Sequence, residues 1–160
     1  MTFFPRNIIL RHYTEFELTL DLKRKYENPP GETFKPRGLW LSVGDAWERW
    51  CRDEEFGSDR LDYYTKFRIV DSERWLTLDT REKILAFTSE YRVERYKDIG
   101  LVEWGRVQRD YAAVLFSPYL KGMRLGLDFP SWYYALDCDS ACVWDLTTII
   151  ETGEPNAKNF

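Results

Sequence analysis

The sequence predicts an α+β fold: a mixed sheet, or two small split β-sheets, with two or three peripheral helices. Three observations carry that reading. Short apolar or alternating runs outnumber helical ones. The helical runs fall singly between strands, without the regular alternation of a doubly wound parallel sheet. The 160 residues are 17% aromatic, with seven Trp, ten Tyr and ten Phe, a density that disordered chains lack. Residues 1–150 are expected to form one domain and 151–160 an exposed C-terminal tail.

Asn7 to His12 is a short apolar first strand. Phe16, Leu18, Leu20 and Leu22 then alternate with Glu15, Glu17, Thr19 and Asp21. That period of two predicts an extended, half-buried segment, although Thr14 and Glu17 have capping-box spacing. Asn28-Pro-Pro-Gly31 forces a loop. Residues 35–42 enter a second strand. Asp45 and Glu48 have the spacing of an N-cap and its N3 partner, and the helix they open places Trp47, Trp50 and Cys51 on one face. Residues 63–70 and 75–78 read as strands joined by Asp71-Ser-Glu73. Asp79-Thr-Arg-Glu82 opens a second helix, on which Ile84, Phe87, Thr88 and Tyr91 share a face. Trp104, Val107 and Tyr111 imply a short third helix. The wholly apolar run 112–116 is a central strand, and 132–137 and 141–144 complete the strands.

Composition narrows the function classes. A net charge of -4 gives no global attraction to nucleic acid or acidic membranes. Arg49, Arg52 and Arg60 are offset by Asp53, Glu54, Glu55 and Asp59, which leaves no extended nucleic-acid-binding stripe. No apolar run approaches the ~20 residues of a membrane span, and the first residues lack a signal-peptide layout. Three Cys cannot all pair with one another, which fits a reducing, cytoplasmic setting. Cys138 and Cys142 lack the second ligand pair of a structural zinc site, so no metal is expected. Phosphate-cradling Gly-rich loops and the serine-nucleophile elbow are absent.

The candidate site residues stand at strand ends. His12, the one His, closes the first strand and is followed by Tyr13 and Thr14. Trp40 and Ser42 share a face of the second strand, a flat ring beside a hydroxyl. Lys35 and Arg37 lie just upstream as a local anion site. Ser117-Pro-Tyr119 ends the apolar strand, where polar residues are better site candidates than at mid-surface. The densest stretch, 132–145, sets Trp132 and three other aromatics beside Asp137, Asp139 and Asp145. A carboxylate held against aromatic walls gains basicity or binds a sugar hydroxyl. The Trp residues divide accordingly: Trp47, Trp50, Trp75 and Trp104 as core, Trp40 and Trp132 as cleft walls, with Trp144 a third.

Leu-Arg-His12-Tyr-Thr, followed about 30 residues later by Gly-Leu-Trp-Leu-Ser42, resembles the first two signatures of ADP-ribosyltransferase-like domains. The resemblance implies a split pair of small sheets around a cleft for NAD. It makes His12 the ribose contact, sets Tyr13 and Thr14 beside the nicotinamide and makes Ser42 the second-strand site residue. It also implies a late-strand Glu that stabilises positive charge on the nicotinamide ribose. The chain departs from the pattern there: Ser140-Ala-Cys-Val-Trp144 holds no Glu. Asp139 is put forward in its place, with Asp137 and Asp145 as alternatives. Longer phrases, among them Phe-Lys-Pro-Arg-Gly-Leu-Trp-Leu-Ser42, look like an uncharacterised family found in phages and microbes.

The function implied is NAD-using mono-ADP-ribosyl transfer to a protein or nucleic-acid acceptor, or NAD glycohydrolysis with water as acceptor. His12, Ser42 and Asp139 are the catalytic candidates. Tyr13, Thr14, Trp40, Lys35, Tyr119 and Trp132 are the nucleotide-binding ones. The alternative is a non-enzymatic module on the same fold: a nucleotide-binding inhibitor or sponge encoded by a phage, or a protein-interaction domain with an exposed aromatic patch.

Overall fold

Alternating apolar residues build a single mixed sheet. The computed structural model describes residues 7–30, 34–96, 100–124, 129–153 and 157–158. Gly31 of the predicted loop, and 154–156 and 159–160 of the predicted tail, lie outside them. The strands are β1 (Leu10–Thr14), β2 (Leu39–Val43), β3 (Tyr63–Ile69), β4 (Trp75–Thr77), β5 (Ala113–Phe116), β6 (Ser140–Val143), β7 (Ile149–Glu151) and β8 (Ala157–Lys158). Their spatial order is β4-β5-β6-β2-β1-β3-β7, with β8 also on β3. All pairs are antiparallel except β4–β5. The helices are α1 (Ala46–Asp53), α2 (Arg81–Tyr91) and α3 (Trp104–Asp110). Among the described residues no helix is long and apolar enough to cross a membrane.

The period of two sorts side chains onto two cores. Val114, Phe116, Cys142 and Trp144 join α2 and α3 on one face, while Ala113, Leu115, Ala141 and Val143 pack with Leu10, Leu41 and Phe67 on the other. β5 is therefore buried on both faces, as its unbroken apolar sequence requires. On the first face, Phe87, Trp104 and Trp132 meet ring against ring at centroid separations of 5.6 Å. The Trp132 indole N–H donates to Thr88 Oγ1 at 2.9 Å, satisfying both groups inside the core.

Several expectations are corrected. Residues 131–135 form a 3₁₀ helix, not a strand, because Trp132 and Tyr133 both turn into the core. The alternating segment 15–22 joins no strand; Phe16 is 70% exposed, and only Leu20 and Leu22 reach the core. The tail is not simply free: Glu151 pairs with Phe67, and Ala157 and Lys158 pair with Tyr64 and Tyr63. Trp47 and Trp50 are half-buried and not core. Asp45 caps nothing with its side chain; Ser42 Oγ accepts from Trp47 N at 2.9 Å instead. Thr80, not Asp79, caps α2 by accepting from Lys83 N. Strands β3 and β4, neighbours in sequence, stand far apart in the sheet order.

Candidate functional site

The sheet opens between β1 and β2. Their ladder consists of Leu10↔Val43 and Arg11↔Ser42 and goes no further, while β1 continues on β3 to Thr14 and β2 continues on β6 to Leu39. At the opening, His12 Nδ1 lies 2.9 Å from the Trp40 carbonyl oxygen. A carbonyl only accepts, so Nδ1 carries the proton and donates. Burial holds the imidazole below its ordinary pKa, against the smaller opposing effect of that hydrogen bond. The neutral ring therefore presents Nε2 as a bare acceptor.

A cleft of about 240 Å³ occupies this opening. It is lined by Arg11, His12 and Tyr13 from β1, by Trp40, Leu41 and Ser42 from β2, by Lys35 and Trp47, and by Leu136 to Cys138 with Ser140 from the approach to β6. Five predicted site residues thus converge: His12, Tyr13, Lys35, Trp40 and Ser42. Trp40 stacks on Phe116 at 6.3 Å, and Lys35 Nζ lies 5.2 Å from the Trp40 ring centroid. The Ser42 hydroxyl donates to Gly44 O at 3.0 Å while accepting from Trp47 N, so one oxygen atom joins the cleft wall to the start of α1.

Of the remaining predicted residues Asp137 alone reaches the cleft; the others lie elsewhere. Thr14 edges a neighbouring shallow depression with Glu15, Phe16 and Arg60, which Tyr13 separates from the cleft. Trp132 is fully buried. Asp139 faces the β5 exit, where its carboxylate accepts from Ser117 Oγ at 2.7 Å and Tyr119 N at 2.9 Å. Tyr119 is outside the cleft too, stacked on Tyr133 with its hydroxyl donating to Leu136 O. Asp145 is held below its ordinary pKa: burial opposes, but Thr147 and the Arg74 guanidinium prevail. Trp144 is core, donating to Tyr111 O. Asp137 is the one carboxylate among the cleft-lining residues, and Arg124 pairs with it at 3.1 Å.

No protein-family model, curated protein or solved structure matches this chain.

Three features escaped the sequence reading. Arg11, which the sequence places simply in the first strand, lines the cleft, stacks 4.7 Å over Tyr64 and donates to the Tyr13 hydroxyl at 3.2 Å. Tyr13 donates in turn to Glu48 at 3.1 Å, and burial lifts its pKa to about 12. Glu48 is 6% exposed and also pairs with Arg52. It is therefore a buried anchor beneath the cleft rim, more than a helix-start residue. Trp47 lines the cleft because Ser42 fixes where α1 begins. Cys138 shares the cleft with His12, but burial and the charges of Asp137 and Asp139 push its thiol up to about 12. It is a neutral thiol at physiological pH and a poor nucleophile.

A wider depression of about 580 Å³ lies between β4 and α2, lined by Trp75, Phe87, Tyr91 and Tyr111. It holds none of the predicted site residues. The β1–β2 cleft is the better candidate because polar groups from four segments converge there on aromatic walls.

Proposed function

We propose that the chain binds NAD in the β1–β2 cleft and transfers its ADP-ribose group to an acceptor, with water as the competing acceptor. The observation that carries this reading is the sheet opening at His12, bridged to Trp40, where the sequence resemblance sets a nucleotide cleft. The neutral Nε2 accepts from a ribose hydroxyl. Trp40, Trp47 and Tyr13 offer flat apolar surface to a nicotinamide ring, and Arg11 and Lys35 supply positive charge for phosphates. At about 240 Å³ the cleft is below the ~300 Å³ at which drug-sized pockets begin, so it takes one half of a dinucleotide and leaves the rest at its mouth.

Breaking the glycosidic bond to nicotinamide leaves positive charge on the ribose. Asp137 is the residue assigned to stabilise it, and exclusion of water by the aromatic walls strengthens that interaction. Asp139, engaged by Ser117 and Tyr119, is not assigned the role. The Asp137–Arg124 pair draws the carboxylate's field toward Arg124. That observation favours the second reading, a module that holds a nucleotide without turning it over.

Nicotinamide release from NAD by concentrated protein, followed by chromatography, tests the first reading. Release that falls at least about 100-fold in Asp137→Asn supports it. A thermal shift by NAD without release selects the second reading. Neither shift nor release sinks both.

A further inference from the structure

α1 carries an aromatic surface that the cleft does not use up. Trp47 and Trp50 stack with centroids 4.9 Å apart and planes 13° from parallel. Phe56 meets both edge-on, at 6.4 and 5.5 Å, and is itself 49% exposed. The turn that returns Phe56 to the pair is a Schellman-type helix end. Phe56 N–H donates to Cys51 O and Glu55 N–H to Arg52 O, with Glu55 in the left-handed position at φ 51°. A residue other than Gly pays for that φ, so the chain keeps a strained turn that holds Phe56 over the indoles.

The charges around these rings are arranged unusually. Elsewhere the chain seats its own cations on rings, as Arg11 on Tyr64, Arg106 on Tyr91 and Arg124 on Tyr134. Among the described residues no such pair involves Trp47, Trp50 or Phe56. The two arginines of α1 are drawn away, Arg49 to Asp45 and Arg52 to Glu48. Asp53, Glu54 and Glu55, all exposed, make no ion pair or side-chain hydrogen bond among the described residues. Glu54 follows Trp47 and Trp50 at helical spacing, so it rises from the same face. Ring faces without a cation therefore adjoin carboxylates without a partner.

We propose that this surface docks a cationic peptide segment of a partner protein, its Arg or Lys side chains lying on the rings and pairing with Asp53, Glu54 and Glu55. Charge complementarity selects this occupant: an acidic peptide or a nucleic-acid strand meets three like charges. Because Trp47 belongs to both surfaces, a segment docked here ends at the cleft mouth. Its role as the ADP-ribose acceptor rests on the function proposed above; its binding does not.

The test is fluorescence anisotropy of a labelled Arg-Gly repeat peptide on the full chain without NAD, at about 0.15 M salt, where charges beyond ~8 Å are screened. Binding is expected to weaken about threefold to tenfold in Phe56→Ala, which leaves every charge in place. It should weaken further in Glu54→Gln with Glu55→Gln, two surface changes that spare the fold. Glu73→Gln, an exposed carboxylate remote in sequence, should leave it unchanged. The proposal is overturned by any of three results: no binding, equal binding by Phe56→Ala, or tighter binding of an acidic peptide or oligo-dT. Nicotinamide release into water is a separate readout, so peptide binding without release would refute the enzyme and keep the docking surface.

Discussion

Replacing His12 with Ala tests the bridged opening directly. The imidazole contributes one hydrogen bond, to a Trp40 carbonyl that backbone no longer meets. Truncation leaves that acceptor unpaired in a half-buried wall, at a cost of about 1–3 kcal/mol. The cost also depends on pH. His12 titrates below its ordinary value of 6.5 in the folded state, so between the two values the unfolded chain binds more protons. The stabilisation is complete above about pH 6.5 and is lost as pH falls through the folded-state pKa, with a slope of at most ~1.4 kcal/mol per pH unit. His12 is the one His, so no other imidazole contributes to that slope. Urea unfolding of both proteins at pH 7.5, 6.0 and 5.0 measures it by linear extrapolation. The gap between the native protein and His12→Ala should be about 1–3 kcal/mol at pH 7.5 and should narrow toward pH 5. A gap under about 0.5 kcal/mol at pH 7.5 would refute the bridge as described, and one that does not narrow would refute the burial of the imidazole.

Four further outcomes follow from the same geometry. Glu48→Gln removes the buried charge that Arg52 and Tyr13 meet; because Arg52 is mostly exposed, the loss in urea unfolding should be about 1–2 kcal/mol, short of a fully buried pair. Glu55→Gly relieves the left-handed turn and should raise stability by about 1 kcal/mol in thermal unfolding, with no gain if the turn is unstrained. Gly105→Ala adds up to about 1 kcal/mol of helix propensity, yet its Cβ would stand 2.7 Å from the Asn28 carbonyl oxygen, so the variant should be net destabilised. Cys138, its thiol near 12, should react with iodoacetamide at pH 8 about 1,000-fold more slowly than free cysteine; rapid labelling of the native protein would contradict its burial.

What the sequence revealed depended on whether a signal was local. Ala112 to Phe116 advertised a doubly buried strand because both its faces are apolar, and Ile84, Phe87, Thr88 and Tyr91 advertised the inner face of α2. The same rule misled at 15–22, where alternation was real but no strand lay alongside to use it. Pairing is non-local, so nothing near β3 and β4 announced that they stand far apart in the sheet. At the site, strand-end logic found His12, Trp40 and Ser42. It does not reach Arg11, because period two sorts strand residues only to core or solvent, whereas at a parting of strands a residue can line the gap. Asp139 failed as a site residue for a related reason. A carboxylate after a strand looks equally available whether it faces a cleft or, as here, receives a backbone N–H and a hydroxyl from the next loop. Trp132 failed because its partner Thr88 lies 44 residues away.

The protons at the opening impose a direction on whatever enters it. Ser42 has one proton, given to Gly44 O, and two lone pairs, one of them taken by Trp47 N–H. His12 has one ring proton, given to Trp40 O. Toward the cleft, then, the serine oxygen and the second imidazole nitrogen have only lone pairs left to offer. A phosphate or carboxylate brings no proton to these two atoms, whereas a hydroxyl or an amide NH₂ satisfies them. Arg11 and Lys35 offer only donors. A ligand carrying both kinds of group is thereby sorted group by group: its hydrogen-bearing groups onto His12 and Ser42, its anionic groups onto Lys35 and onto Arg11, which lies directly across the strand pair from Ser42.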